Sequence, residues 1–277
     1  MRSSLSRLLM MLIVVMASLA FAQTSDKKAL AIAAQSMAVL TGRNPVTDMT
    51  LQGNATWRVG PKKETGSVTL MARGVRQSRV DLNMSSFQRS DIVDNSTGVP
   101  QGTWILNGGE TKHYTPHNSL ADPVWFYAGL SSLAAGISEP SVILSYVGSE
   151  TRGNRSVQHL RAYMASKKRG KGFIQSLPRT YAYLATPSSM QRLSTEDFYL
   201  DSGSFLPVAI TFNTHPDNDP STDIRIEIDF SNYQAVNGVR LPFHIQRLVQ
   251  GGLTLDVQVT NAVVNSGLSD ALFAIRQ

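Results

Sequence analysis

Apolar and polar residues alternate along most of this chain in short runs that are separated by turn residues. Between residues 224 and 230, apolar side chains at every second position alternate with charged ones. Asn107-Gly108 and Asn237-Gly238 are typical hairpin turns. The pattern predicts an antiparallel sheet with one buried face. The predicted strands span residues 49–59, 67–73, 77–84, 87–93, 103–106, 111–115, 144–151, 156–163, 193–200, 206–212, 224–230, 241–249 and 253–259.

Two segments have apolar residues at helical spacing instead. Residues 26–40 are predicted as a helix that begins at Ser25 or Asp26 and ends before Gly42. Residues 122–133 are predicted as a second helix, which packs on the sheet or inserts into it. An apolar sheet face under such a helix is either a filled core or a cavity that the helix closes.

A third segment, residues 164–187, is rich in lysine, arginine and glycine around Lys167. We expect a solvated loop there, since charged loops are usually plain surface. A lid or a membrane-contact patch is the alternative.

The amino terminus has the three parts of a secretory signal. Arg2 and Arg7 precede an apolar run over residues 8–19, and Ala20-Phe21-Ala22 supplies the small residues that signal peptidase recognises. A membrane anchor is the alternative, but the run is shorter than the ~20 residues that a spanning helix needs. We therefore predict a signal peptide over residues 1–22, export to a bacterial-type periplasm, and one domain over residues 23–277.

Composition narrows the possible functions. Hydrophobic residues make up 42% of the 277 residues and charged residues 17%, which favours a packed core over disorder. The absence of cysteine excludes thiol catalysis and thiolate metal sites. The formal net charge of +6 is modest, and the basic residues are scattered without a recognised motif. This disfavours nucleic-acid binding and allows at most transient contact with anionic membranes.

No motif predicts catalysis, a metal or a cofactor. The Gly-x-Ser-x-Gly elbow of many hydrolases is absent. His113 and His117 are expected to be separate surface residues, and the acidic residues 215–223 are expected to form a connecting turn. We therefore expect a non-enzyme. A hydrolase that uses scattered acids such as Glu110, Glu150 and Glu196 is the alternative.

Several stretches resemble the periplasmic lipoprotein carriers of the LolA-like superfamily. Residues 105–116 form a similar hairpin sequence, with Asn-Gly-Gly followed by Lys-His-Tyr-Thr-Pro. Residues 198–207 and 236–242 resemble the later half of that superfamily, and residues 70–74 resemble a strand that ends in a basic residue. The order of these patches carries the resemblance, and Gly74 stands where the carrier has a proline.

The resemblance implies an α+β fold, mainly antiparallel β, with a strongly curved half-barrel sheet and helices on its concave face. It also implies a cavity for acyl chains, with Arg73 at the position of a strand arginine that holds the helical lid. The expected ligand-binding residues are Trp57, Leu70, Leu82 and Trp104 on the sheet, with Trp125 and Phe126 in the lid. The expected function is a periplasmic binder or carrier of a lipid, acyl chain or lipoprotein. The alternative is a protein-interaction module with an envelope partner.

Overall fold

The computed structural model describes residues 24–42, 44–121, 123–165 and 186–275. The predicted signal peptide and most of the predicted basic loop, residues 166–185, lie outside the described residues.

One antiparallel sheet contains all thirteen strands of the described chain. Strands that follow each other in sequence lie side by side, except the sixth and seventh, which form the two edges of the sheet. The first strand pairs with the last, so the two halves of the chain join at the middle of the sheet. The sheet is open and strongly curved, a half-barrel with helices on its concave face. The strands are β1 Asp48–Val59, β2 Lys62–Arg73, β3 Gln77–Met84, β4 Gln88–Asp94, β5 Gln101–Leu106, β6 Lys112–His113, β7 Val142–Arg152, β8 Arg155–Met164, β9 Glu196–Asp201, β10 Pro207–Thr214, β11 Ile224–Val236, β12 Val239–Val249 and β13 Gly252–Val264.

Alternation in the sequence sets which side chains face the helices. In β11, Ile226, Ile228 and Phe230 are buried while their neighbours are more exposed. The turn into β12 uses Asn237 and Gly238, whose φ angles of 51° and 84° are those that a tight hairpin needs. A shift of one residue would move every apolar side chain to the other face, so the buried face fixes the register.

Three α-helices lie in the described chain: α1 Lys27–Thr41, α2 Ser132–Ser138 and α3 Pro187–Leu193. The Asp26 side chain caps α1 by accepting a hydrogen bond from the Lys28 N–H at 2.7 Å, and Gly42 ends the helix with φ of 61°. Helices α1 and α2 share one hydrophobic core with the inward residues of the sheet. No described helix combines the length and the apolar character needed to cross a bilayer.

The helix predicted over residues 122–133 is wrong in position and length. Residues 123–126 form turns, Ala128–Leu130 is a single 3₁₀ turn, and α2 begins only at Ser132. Ser131 is the true helix cap, because its side chain accepts a hydrogen bond from the Leu133 N–H at 3.2 Å. The apolar residues that suggested a helix are buried in the irregular segment instead, where three are almost inaccessible: Val124, Phe126 and Tyr127.

Two strand predictions also need correction. The strand expected over residues 111–115 is reduced to Lys112–His113. The strand expected from residue 193 starts only at Glu196, because Leu193 is the buried end of helix α3.

The convex face is partly covered by the carboxyl-terminal residues. A 3₁₀ helix, Asp270–Phe273, places Phe273 against Met71 and Ile92, which form a small hydrophobic cluster separate from the main core. At the start of this segment, Asp48 accepts hydrogen bonds from the N–H groups of Ser266 at 2.8 Å and Gly267 at 3.1 Å. The tail is therefore fixed to the sheet at two points.

The outer edge of β7 contacts the residues that precede α1. The Asp26 N–H donates to the carbonyl of Leu144 at 2.8 Å, and the Leu144 N–H donates to the Ser25 hydroxyl at 3.1 Å. The pairing of β7 with β8 is irregular between Tyr146 and Gly148. The opposite edge strand, β6, has two residues.

Candidate functional site

A cavity of about 400 Å³ lies on the concave face. Its walls come from β1, β3, β4, β10, β12 and β13, and from the segment between residues 114 and 125. The volume falls within the range of small-molecule sites, which occupy roughly 300–1,000 Å³. Six side chains form most of its apolar wall: Trp57, Val80, Leu82, Trp125, Phe212 and Leu255.

Two tryptophans form part of this apolar wall. Trp57 lies on β1 and meets Phe87 edge-to-face, with 5.9 Å between ring centroids. Trp125 lies in the irregular segment and meets the fully buried Phe126 in the same way at 5.4 Å. Both rings are held by neighbours that are part of or packed against the core, so they present fixed apolar surfaces to the cavity.

One polar group at the cavity wall is internally satisfied. The Arg89 guanidinium donates to both carboxylate oxygens of Asp91, at 2.8 and 2.7 Å, and to the Tyr114 hydroxyl at 2.9 Å. Tyr114 in turn donates to Asp91. Burial disfavours the charge on Arg89, but the hydrogen bonds and charge of Asp91 outweigh it and raise the pKa of the guanidinium. Burial, together with the charge of Asp91, raises the pKa of Tyr114.

A second arginine at the cavity wall has no such partners. Arg247 lies on β12, and its Nε atom is buried without a hydrogen-bond acceptor among the described residues. The ring of Trp125 lies 5.9 Å from the guanidinium carbon, a weak cation–π contact. Burial lowers the pKa of Arg247, yet an arginine keeps its charge at neutral pH.

The histidines differ from the sequence prediction. His113 is exposed, as expected, but His117 is buried with 1% exposure and its ring lies 5.9 Å from that of His215. The cause is Asn118, whose side chain donates to the carbonyl of His215 at 2.8 Å and accepts from its N–H at 2.9 Å. Burial lowers the pKa of both histidines. Among the described residues no group of three or more histidine and acidic side chains is placed to hold a metal.

No protein-family model and no curated protein matches the sequence. Solved structures do match. A domain from Vibrio parahaemolyticus assigned to outer membrane lipoprotein sorting is 13% identical, with a TM-score of 0.53 over 89% of this chain and 96% of that one. A LolA superfamily protein from Nitrosomonas europaea is 10% identical, with a TM-score of 0.51 over 89% and 97%. The chain has a LolA-like fold. A DUF1329 family protein from Desulfovibrio piger, 12% identical with a TM-score of 0.53 over 91% and 98%, shares it.

Within this LolA-like fold, the six predicted ligand-binding residues separate into three lining the cavity, two in the packed core and one, Trp104, in neither set. Trp57, Leu82 and Trp125 line the cavity. Leu70 and Phe126 have 0% exposure and belong to the packed core. Trp104 is half-buried; it lies opposite Asp91 in the sheet, with the Arg89 guanidinium 4.6 Å from its ring.

Arg73 lies on the convex face of the LolA-like fold. It alternates with the buried Ala72, donates to the Leu268 carbonyl at 3.2 Å, and forms an ion pair with Asp270. The guanidinium carbon also lies 5.5 Å from the Phe273 ring. Among the described residues, Arg73 therefore contacts the carboxyl-terminal segment rather than a helical lid. Arg73 is the last residue of β2, and its partners in the carboxyl-terminal segment lie on the convex face, opposite to the concave face on which the helices pack.

The sequence prediction missed Arg247, although a signal was present. Every second residue of β12 points to the concave face. Three of these residues are buried, namely Val239, Leu241 and Ile245, and Phe243 is partly buried. Arg247 is the next residue in this inward series. A charged residue at an inward position of an amphipathic strand is rare enough to indicate a binding site.

Proposed function

We propose that the protein is a non-catalytic periplasmic protein that binds an apolar ligand, such as an acyl chain, in the cavity on the concave face. One observation carries the proposal: the concave face contains a half-open cavity of about 400 Å³ lined by Trp57, Leu82 and Trp125. Ligand sites are typically clefts of this size whose walls are mostly apolar and aromatic. A ligand chain in this space gains ~0.8 kcal/mol for each buried methylene, so apolar contact alone supplies useful affinity.

The LolA-like fold supports the proposal by likeness, because one structural relative is described as an outer membrane lipoprotein-sorting domain and another as a LolA superfamily protein. The predicted signal peptide supports a periplasmic location. The cavity walls also contain few groups suited to chemistry. Asp91 is the one carboxylate among the described residues that line the cavity, and it is already paired with Arg89 and Tyr114.

The test is to fill the cavity and measure ligand uptake. Val93 lines the cavity and is half-buried, so Val93→Trp adds bulk at the wall without overfilling the packed core. The delipidated protein is titrated with a fluorescent fatty acid, and the expected result for Val93→Trp is at least tenfold weaker binding than for the natural protein.

Val263→Trp is the matched control, because Val263 is 40% exposed and lies outside the cavity. The same change there should leave probe binding unaltered. The proposal is rejected if the natural protein takes up no probe, or if the two tryptophan variants bind it equally well.

A further inference from the structure

Arg247 interrupts a continuous apolar row that crosses the concave face. Residues directly opposite each other in an antiparallel sheet point to the same side, so the pairing identifies its neighbours. Leu255 on β13 and Ile228 on β11 flank Arg247, and both are almost fully buried. The row runs across six strands through Trp57, Leu255, Arg247, Ile228, Ile210 and Phe198, and Arg247 is its only charged member.

The charge of Arg247 is not balanced inside the cavity. The other fully charged side chains at its wall are Arg89 and Asp91, which neutralise each other through a two-pronged pair. His215 also lines the cavity, and burial lowers its pKa, which favours the neutral ring at neutral pH. Among the described residues, the cavity thus contains one unpaired positive charge.

Arg247 is half-buried, and its Nε atom is shielded from water without an acceptor among the described residues. Leaving a donor of a charged group without an acceptor is unfavourable, and a guanidinium presents five donors that need acceptors. An anion placed against Arg247 would supply the missing acceptors through charge-assisted hydrogen bonds, which are about twice as strong as neutral ones. The apolar side chains beside the guanidinium suit a ligand that is apolar next to its charge.

We propose that Arg247 binds the acidic head group, a carboxylate or phosphate, of an amphiphile whose hydrocarbon chain lies against Trp57, Leu82 and Trp125. This inference rests on the proposed function and adds the chemical class of the ligand. The planar guanidinium forms paired hydrogen bonds with a carboxylate or phosphate. The site selects against amphiphiles with cationic head groups, because a second positive charge beside Arg247 has no partner there.

The experiment compares four probes with the delipidated mature protein by calorimetry: dodecanoate, dodecyl phosphate, dodecanol and dodecyltrimethylammonium. We expect the two anions to bind at least tenfold more tightly than dodecanol, and the cation to bind most weakly. Acetate and inorganic phosphate, offered as competitors, should not displace dodecanoate, since they lack the chain.

The decisive variant is Arg247→Met, which keeps an unbranched side chain and removes the charge. Its affinity for dodecanoate should fall about tenfold or more, towards its affinity for dodecanol, as expected for losing a hydrogen bond to a charged group. Its affinity for dodecanol should not fall. Arg247→Lys should retain part of the preference for anions. Arg240→Met is the matched control, because Arg240 is exposed on the same strand, and it should behave as the natural protein.

Thermal unfolding without ligand shows that the variant folds and supplies a second readout. Arg247→Met should melt no lower than the natural protein, since it removes a half-buried guanidinium whose Nε atom has no acceptor among the described residues. A much lower melting temperature would show a structural role and overturn the proposal.

The binding results distinguish a failure of the head-group proposal from a failure of the proposed apolar binding. If dodecanoate and dodecanol bind equally and Arg247→Met changes neither, the head-group proposal fails and the apolar cavity stands. If none of the chain-bearing probes binds, both proposals fail. If acetate or phosphate displaces dodecanoate efficiently, the site is one for small anions, and the amphiphile proposal is wrong.

Discussion

At Gly136, helix α2 packs closely against the sheet. A Cβ atom built on Gly136 would lie 2.4 Å from Cγ of Leu144, and 2.7 and 2.8 Å from its two methyl carbons. Leu144 is a β7 residue with 0% exposure, so its side chain has little freedom to move aside. The substitution Gly136→Ala therefore tests whether the helix is packed as tightly as these distances indicate.

Two effects of opposite sign compete in Gly136→Ala. Alanine is favoured over glycine inside a helix by about 1 kcal/mol. Overfilling a well-packed core costs typically 1–3 kcal/mol, and the overlap at Leu144 involves its branch carbon, which argues for the upper half of that range. We expect a net loss of about 1–2 kcal/mol in the free energy of unfolding. For a chain of this size, each kcal/mol lost lowers Tm by roughly 2–4 °C.

Thermal melts followed by circular dichroism give the measurement, and a double-mutant cycle isolates the contact. Leu144→Ala alone should cost about 2–5 kcal/mol because it leaves a cavity. The added methyl group of Gly136→Ala would partly fill that cavity, so the double variant should be more stable than the sum of the two single effects predicts. A rise in Tm for Gly136→Ala, or strict additivity in the cycle, would refute the close packing of α2 on β7.

Two further predictions concern the carboxyl-terminal segment. Burial opposes the charge of Asp48, but hydrogen bonds from Ser266, Gly267 and Thr47 lower its pKa; the resulting stability is present at neutral pH and disappears as the pH falls below about 4. Asp48→Asn should therefore lower the free energy of unfolding by about 1–2 kcal/mol at pH 7. Denaturant unfolding of the two proteins at several pH values should show this difference shrinking towards pH 3. A difference that does not change with pH would contradict the prediction. Phe273→Ala, at a site with 0% exposure, should release residues 268–275 to rapid hydrogen exchange. Asp270→Ala should not, because a pair with an 89% exposed carboxylate contributes at most about 1 kcal/mol; equal exchange in the two variants would show that the ion pair, not the ring, holds the tail.

The sheet was predictable from the sequence because one buried face imposes a period of two on every long strand. Strand β3 has the predicted limits, residues 77–84, and the helix predicted over residues 26–40 corresponds to α1. The failure over residues 122–133 has a physical cause. Val124 and Phe126 are buried by an irregular backbone that follows the shape of the concave face, and periodicity alone does not distinguish that from a helix.

The site was only partly predictable. Aromatic residues on inward strand positions indicated an apolar concave face, and Trp57 and Leu82 do line the cavity. Whether such residues meet in a core or surround a space depends on how far the sheet curves, which is not encoded in any single strand; Leu70 meets its neighbours in the core. The alternation of strand residues could have distinguished the two arginines. Arg73 follows the inward Ala72 and so points to the convex face, whereas Arg247 lies at an inward position itself.

The contacts of Ser25 and Asp26 with Leu144 bear on whether a second copy of the chain can pair with the edge of the sheet. The unpaired side of a long terminal strand is a template on which a second copy can extend the sheet, and such strands lead to aggregation unless they are blocked. Here the residues before α1 occupy backbone groups in the first half of that side, and the irregularity after Tyr146 distorts the second half. A recombinant protein that begins after Asp26 would lose the first of these protections.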